Sequence, residues 1–371
     1  MDVQEQTGAE KLINNILVLG KTGVGKTSLI NYLFNLNLPV GAGLPVTGRG
    51  LHEQKVFQDG IEFHVYDSWG IEADRMSAWQ QEVLTEIGRR NRSPRLMEWF
   101  HAIYYCFSAN SARIEAAEVK NILLPLVTKG YRVMIILTHA DIGFQKDAKL
   151  KGMRTYLLRT LQKVQPDFQE SDIINVASIS GTTLAGDKLE PFGRQQVLAV
   201  SLRNLSMAIA HRLPEFYKSN IISKIAGWRE RSLIFVAHAD MGFFFNNKDA
   251  RNLIKDINLD LSNTFGAIDA DASRCEQEAS AYMKALVAVG LGKVQADMVM
   301  PLQLDKYNLT RDNFSVQMDF WGGFVKSNRS IRKELTARVE KTYQEIIQSL
   351  EKRQTGYADS LLVALSKLLH L

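Results

Sequence analysis

The segment Gly20-Lys21-Thr22-Gly23-Val24-Gly25-Lys26-Thr27 fits the spacing G-x-x-x-x-G-K-[ST]. The chemistry of that spacing is the capture of a phosphate chain. Glycines lack Cβ atoms, so backbone N–H groups can wrap anionic oxygens closely. A helix opening at Lys26 points the positive end of its dipole at the same anion, with Ser28 in its first turn. Lys26 is placed to reach the β- and γ-phosphates, and the Thr27 hydroxyl to ligate Mg²⁺. Gly20, Thr22, Gly23, Val24, Gly25, Lys26, Thr27 and Ser28 are the candidate phosphate-binding residues.

A second acidic signal follows 40 residues after Thr27. Asp67-Ser-Trp-Gly70 has the D-x-x-G form and leaves a stretch in which Ile61, Phe63 and Val65 alternate. A carboxylate at a strand end can hold the Mg²⁺ shell, and the Gly70 N–H can sense a γ-phosphate. Between the two motifs lies Gly41-Ala-Gly-Leu-Pro-Val-Thr47-Gly-Arg-Gly50. Its glycines and proline suit a segment ordered by nucleotide and released on hydrolysis, with Thr47 completing the metal shell. The metal candidates are thus Thr27, Thr47 and Asp67, and the residues expected to act on the reacting phosphate are Lys26, Thr47 and Gly70.

Base choice is written further along. Thr138-His139-Ala-Asp141 leaves the apolar run Val133–Leu137 and fits [NT]-K-x-D with histidine in the lysine position. A carboxylate at Asp141 accepts two hydrogen bonds from guanine N1–H and the 2-amino group. Adenine offers no such donor pair and would leave the charge unpaired. Imidazole can stack on the base where lysine would pack. In Asn175-Val-Ala-Ser178-Ile-Ser-Gly181, the Ser178 backbone N–H is the candidate for guanine O6. The cofactors expected are GTP or GDP with Mg²⁺.

The elements that must carry these residues read as alternating strands and helices. Candidate strands are Asn14–Leu19, Gly60–Tyr66, Ala102–Phe107, Arg132–Leu137 and Asp172–Ala177. Candidate helices are Lys26–Leu36, Arg75–Arg90, Ile114–Thr128 and Ala148–Val164. That alternation predicts a mostly parallel sheet covered on both faces, an α/β fold. Pro191–Lys218 reads as one or two helices closing this domain. Beyond it the chain is mostly helical: Asp249–Ala288, Ser330–Gln354 and Tyr357–Leu371 carry apolar residues three and four apart. The expected division is residues 1–218 for nucleotide chemistry and 219–371 for a helical C-terminal domain.

The composition adds exclusions. The chain has 371 residues, 46% hydrophobic and 23% charged, with a net charge of +5. That balance suits a globular protein and does not indicate nucleic acid as a partner. Two cysteines, Cys106 and Cys275, form neither a disulfide framework nor a zinc motif and suit a reducing, cytoplasmic setting. Met1–Lys11 lacks the apolar core of a signal peptide. Ala279–Leu304 comes nearest to a spanning segment, but Lys284, Lys293 and Asp297 interrupt it.

With five motifs in order, the first 215 or so residues resemble the translation-factor-class P-loop GTPases. The Thr22-Gly23-Val-Gly-Lys-Thr loop and Thr138-His139-Ala-Asp141 resemble the septin-related, chloroplast-import-receptor and immunity-associated branch. The strand pattern also resembles the Era-like and interferon-inducible GTPases. Ala285–Gln303 resembles helical domains attached to bacterial Era-like members. Gly23 stands where potassium-dependent Era-type members carry asparagine, so potassium activation is not expected. The resemblance implies nucleotide-dependent self-association, as a homodimer or with another protein, or peripheral contact with a membrane. Two positions depart from the signalling GTPases: Ile71 stands where those have a water-orienting glutamine, and Trp69 where a small residue is common. Intrinsic hydrolysis is therefore expected to be slow, with a catalytically silent scaffold as the alternative.

Overall fold

The computed structural model describes residues 12–40, 50–72, 75–93, 95–111, 114–141, 147–182, 188–239, 247–288, 314–317 and 327–369. The chain divides into two compact units: Met1–His211 with Ala281–Val299 and Leu365–Leu371, and Arg212–Ser280 with Met300–Ala364.

The first unit is built on six strands: β1 Leu12–Gly20, β2 Leu51–Gln58, β3 Ile61–Ser68, β4 Ala102–Ser108, β5 Val133–Thr138 and β6 Ile173–Asn175. Their order across the sheet is β2-β3-β1-β4-β5-β6. All neighbours pair in parallel except β2 with β3. The parallel strands are near-continuous apolar runs buried on both faces, as a helix-covered sheet requires. The edge strand β2 is an addition to the five strands expected. It joins β3 through Asp59 and Gly60, which take φ 52 and 80. Two successive positive φ angles are what a tight hairpin turn needs, and Asp-Gly supplies them cheaply.

Helices fill the connections. α1 is Lys26–Phe34. Residues 76–90 form one helical run, α2, whose middle, Gln80–Leu84, is π-helical. Residues 116–128 form α3, π-helical over Val119–Leu123. The wide turn in α3 has a visible cause. Pro125 has no N–H to give the carbonyl of Asn121, and that carbonyl accepts the Gln80 side-chain amide at 2.8 Å instead. α4 is Asp147–Gln162. A short hairpin, β7 Gly181–Thr182 with β8 Lys188–Leu189, follows β6. The apolar core joins Leu17 and Leu19 of β1 to Trp79, Tyr105, Ile122, Leu137 and Leu157, all fully or almost fully buried.

Among the described residues, three long helices follow: α5 Arg194–His238, α6 Asn247–Ala288 and α7 Asn328–Leu369. Two readings of the sequence are corrected here. The helix expected to close at Lys218 runs on to His238. The two C-terminal helices are one, because Thr355-Gly356 does not interrupt α7; a single glycine costs only about 1 kcal/mol in a long helix.

In the second unit the buried residues recur three and four apart. Among them are Ile221, Ile225, Trp228 and Ser232 on α5, Ile257, Leu261, Thr264 and Ile268 on α6, and Leu335, Val339, Thr342 and Ile346 on α7. Polar ties fix the helices laterally: Trp228 Nε1 donates to Ile257 O at 3.2 Å, and Arg229 Nε to Glu340 at 2.7 Å. Among the described residues, no helix is long and apolar enough to cross a membrane.

Candidate functional site

Strand register decides where the motif residues meet. β1 pairs Val18 with Asp67 of β3 and Gly20 with Cys106 of β4, and β4 pairs Ser108 with Thr138 of β5. Gly20, Ser108 and Thr138 end their strands and Asp67 stands one residue from the end of β3, so all four lie on one edge, the carboxyl edge, where open α/β sheets bind ligands.

The loop from Gly20 wraps toward α1. Lys26 is buried, and its ammonium donates to the carbonyls of Gly20 and Lys21 at 3.0 and 2.9 Å. Burial pulls its pKa below the ordinary lysine value, and the nearby Asp67 opposes that pull. A buried ammonium parked on its own loop's carbonyls is the arrangement an incoming phosphate can take over. Gly25 holds φ 87, and a side chain there would meet the His139 ring at 3.0 Å. Thr22 and Gly23 are exposed at the loop's crest, Val24 is buried, and Ser28 is half-buried on α1.

The two described metal candidates are in contact. Thr27 Oγ1 donates to Asp67 Oδ2 at 2.9 Å. Two cis ligands of an octahedral Mg²⁺ also stand about 2.9 Å apart, so the pair fits that ion. Among the described residues, no group of three His, Cys, Asp or Glu side chains can hold a metal. Thr47, the third candidate, lies outside the described residues, as does most of Ala285–Gln303.

Gly70 packs directly on the phosphate loop. A Cβ there would lie 2.6 Å from Thr22 Cα and 2.7 Å from Thr22 N, which no side chain tolerates. The next residue, Ile71, donates its N–H to Gly20 O at 3.2 Å and buries its side chain in the core.

The fourth and fifth motifs close around the same loop. The Thr138 hydroxyl reaches Val24 O at 2.5 Å and Phe107 O at 3.1 Å, tying β5 to the phosphate loop. His139 takes φ 52, and its Nδ1 lies 3.3 Å from Ser108 Oγ. Asp141 Oδ2 lies 3.6 Å from where a Cβ on Gly181 would stand, beside the loop that holds Ser178. Ala140 N–H donates to Val176 O and Val176 N–H to Leu137 O, at 3.1 and 2.9 Å, which fixes the start of that loop against β5.

Two neighbours escaped the sequence reading. Ser108 has a legible signal, since it ends a strand already recognised. Glu118 has none, being one acid in an apolar helix. It is buried, accepts the Tyr105 hydroxyl at 3.0 Å, and burial pushes its carboxyl above the ordinary range. Arg89 and Arg90 pair with Glu86 at 2.7 and 2.9 Å, and Arg90 also stacks 4.3 Å above Tyr66.

A parallel sheet with this loop, this acid pair and this carboxyl-edge cluster has the fold of a P-loop GTPase domain. Residues 15–138, about a third of the chain, match the family described as 50S ribosome-binding GTPase. Among curated proteins, it is similar to the tRNA modification GTPase MnmE of Thermoanaerobacter sp. (strain X514) and of Thermoanaerobacter pseudethanolicus. Each is 22% identical over 211 residues, 56% of this chain and 44% of the relative. The chain thus spans less than half the length of those relatives. Among solved structures, Toc33 from Arabidopsis thaliana in complex with Mg²⁺ and GMPPNP aligns at TM-score 0.39 and 17% identity, over 54% of this chain and 86% of that one. A bacterial selenocysteine-specific elongation factor, EF-Sec, aligns at TM-score 0.35 and 15% identity, over 52% and 28%.

Proposed function

We propose that this protein binds GTP with Mg²⁺, hydrolyses it slowly to GDP and phosphate, and uses the nucleotide state to switch self-association or contact with a protein partner. Residues 1–218 carry the nucleotide chemistry and 219–371 the contact. The observation that carries the reading is the His139 ring against Gly25, with Thr138 bonded to Val24. It supports one ligand spanning a phosphate loop and a base site. In this reading Lys26 holds the β- and γ-phosphates, and Thr27 with Asp67 holds the ion, joined by Thr47 when the γ-phosphate is present. Gly70 senses that phosphate. His139 stacks on guanine, Asp141 reads its edge, and the Ser178 N–H meets O6. Mg²⁺ neutralises charge on the phosphates.

The test is competition between GTP and ATP for a fluorescent guanine nucleotide. GTP is expected to win by at least about 10²-fold, because a site built to pair polar groups rejects the analogue that lacks them. Equal competition sinks the guanine reading. Lys26→Ala is expected to remove binding, and Asp141→Asn to relax base choice. Sizing the protein with GDP and with a non-hydrolysable GTP analogue tests the switch; identical profiles at all concentrations refute self-association.

A second reading, a nucleotide-binding but silent scaffold, is favoured by one observation. Ile71, at the position of the usual glutamine, is only 2% exposed and has no polar group to offer. Turnover that is zero at every protein concentration selects it.

A further inference from the structure

The segment after Asp67 runs extended along the phosphate loop, and its side chains alternate. Trp69 and Ile71 point into the core. Gly70 and Glu72 fall on the other side, as the period of two in an extended chain requires. Backbone pairing fixes that register: Ile71 bridges to Lys21 in parallel and donates to Gly20 O at 3.2 Å. Thr22 then lies over Gly70, and its hydroxyl donates to Glu72 Oε1 at 3.4 Å. The second Glu72 oxygen is 3.7 Å from the Arg75 guanidinium. A carboxylate on the phosphate-loop face of this segment is thus held by a residue of the phosphate loop and partly neutralised by an arginine.

Ile71 is buried because its register faces the core, and the first polar side chain facing the phosphate loop comes one residue later. We propose that Glu72 is the acceptor that orients the water attacking the γ-phosphate, with Thr22 and Arg75 as its positioning residues. This rests on the GTPase reading above. In the step, the water oxygen bonds to the γ-phosphorus and the bond from that phosphorus to the β–γ bridging oxygen breaks. GDP leaves with the electron pair, and the water's proton ends on the released phosphate. Glu72 accepts a hydrogen bond from the water and is unchanged at the end.

The experiment is single-turnover GTP hydrolysis by the full chain with Mg²⁺, set beside the Kd of a fluorescent GTP analogue. Glu72→Ala is expected to lower the rate by about 10²-fold, the scale of one positioned proton acceptor, with Kd within about twofold. Glu72→Gln recovers part of the rate, since an amide oxygen also accepts from water. Added formate raises the rate of Glu72→Ala and leaves the native chain unchanged. An unchanged rate in Glu72→Ala overturns the proposal. So does a parallel loss of rate and affinity with no formate rescue, which makes Glu72 a clasp between two loops. Native protein that binds GTP but never turns it over removes the role of Glu72 and spares the nucleotide site. Native protein that binds no GTP sinks the underlying reading.

Discussion

Each unit of this chain is tied internally by residues far apart in sequence, but the ties do different things. In the sheet unit, Thr27 reaches Asp67 across 40 residues and Thr138 reaches Val24 across 114. In the helical unit, Arg229 reaches Glu340 across 111 residues and Trp228 reaches Ile257 across 29. The first set converges on one strand edge and joins residue types that phosphate, Mg²⁺ and a purine require. The second set is spread along helix flanks and serves packing. Buried charge follows the same division. Lys26, Asp67, Glu118 and Asp172 are buried in the sheet unit, whereas the buried polar groups named on the long helices' inner faces are the neutral Ser232, Thr264 and Thr342. Charge is expensive to bury and is tolerated where it is paired, as Asp172 is with Arg203, or where it faces a ligand.

The largest expected effect tests whether the helical unit is purely a packed assembly. Trp228 is fully buried. Trp228→Ala is expected to cost about 3–5 kcal/mol of stability, read as a lower urea midpoint, with GTP affinity of the folded protein within about twofold if this unit serves packing alone. A large loss of affinity at full folding breaks the comparison. In the sheet unit the ranking reverses, and one added methyl harms function most. Gly70→Ala pushes a Cβ into the Thr22 backbone, and a displacement near 1 Å at a reacting site costs about 10²-fold in rate. Normal turnover in this variant means the contact is incidental.

A smaller effect separates the two meanings of Ile71. If the missing glutamine limited the rate through its identity, Ile71→Gln would speed hydrolysis. Its side chain faces the core, so the expected outcome is no acceleration and a loss of about 1–3 kcal/mol for burying an unpaired amide. A faster variant with native stability overturns the assignment of that face.

These contrasts also explain what could be read without coordinates. The five strands that carry motifs were visible because burial on both faces makes them uninterrupted apolar runs. β2 was missed because it is an edge strand of the sequence Leu-His-Glu-Gln-Lys-Val-Phe-Gln, half solvated and mostly polar; only Asp59-Gly60 advertised the hairpin. That Lys26, Thr27 and Asp67 would meet at one strand edge was legible because phosphate and metal chemistry restrict residue type at fixed spacing. Glu72 was not, since its meaning depends on which face of an extended segment meets the loop, and that register is set by pairing with Lys21 rather than by composition. The run-on of α5 past Lys218 was illegible for a different reason: Pro214 and Gly227 are residue types that often mark a stop, yet both lie inside the helix, and periodicity alone does not mark a boundary.

The smallest expected effect bears on why an acid is buried beside the phosphate loop at all. Burial raises the Glu118 carboxyl above its ordinary value of 4.5, against the pull of the Tyr105 hydroxyl bond and of Lys21. A raised acid pKa means the folded chain holds this proton more tightly than the unfolded chain. Its contribution is therefore favourable below about pH 4.5 and is lost as pH climbs through the folded value. Glu118→Gln keeps an oxygen for Tyr105 and removes the titration. The variant is expected to match the native chain near pH 4.5 and to exceed it in denaturation midpoint by a gap that widens with pH and then levels off. Midpoints measured from near pH 5 to near pH 8 decide the sign. A variant less stable than the native chain at the alkaline end means the attraction of Lys21 and Lys26 outweighs desolvation. The buried charge would then be a structural partner of the phosphate loop rather than a cost tolerated there.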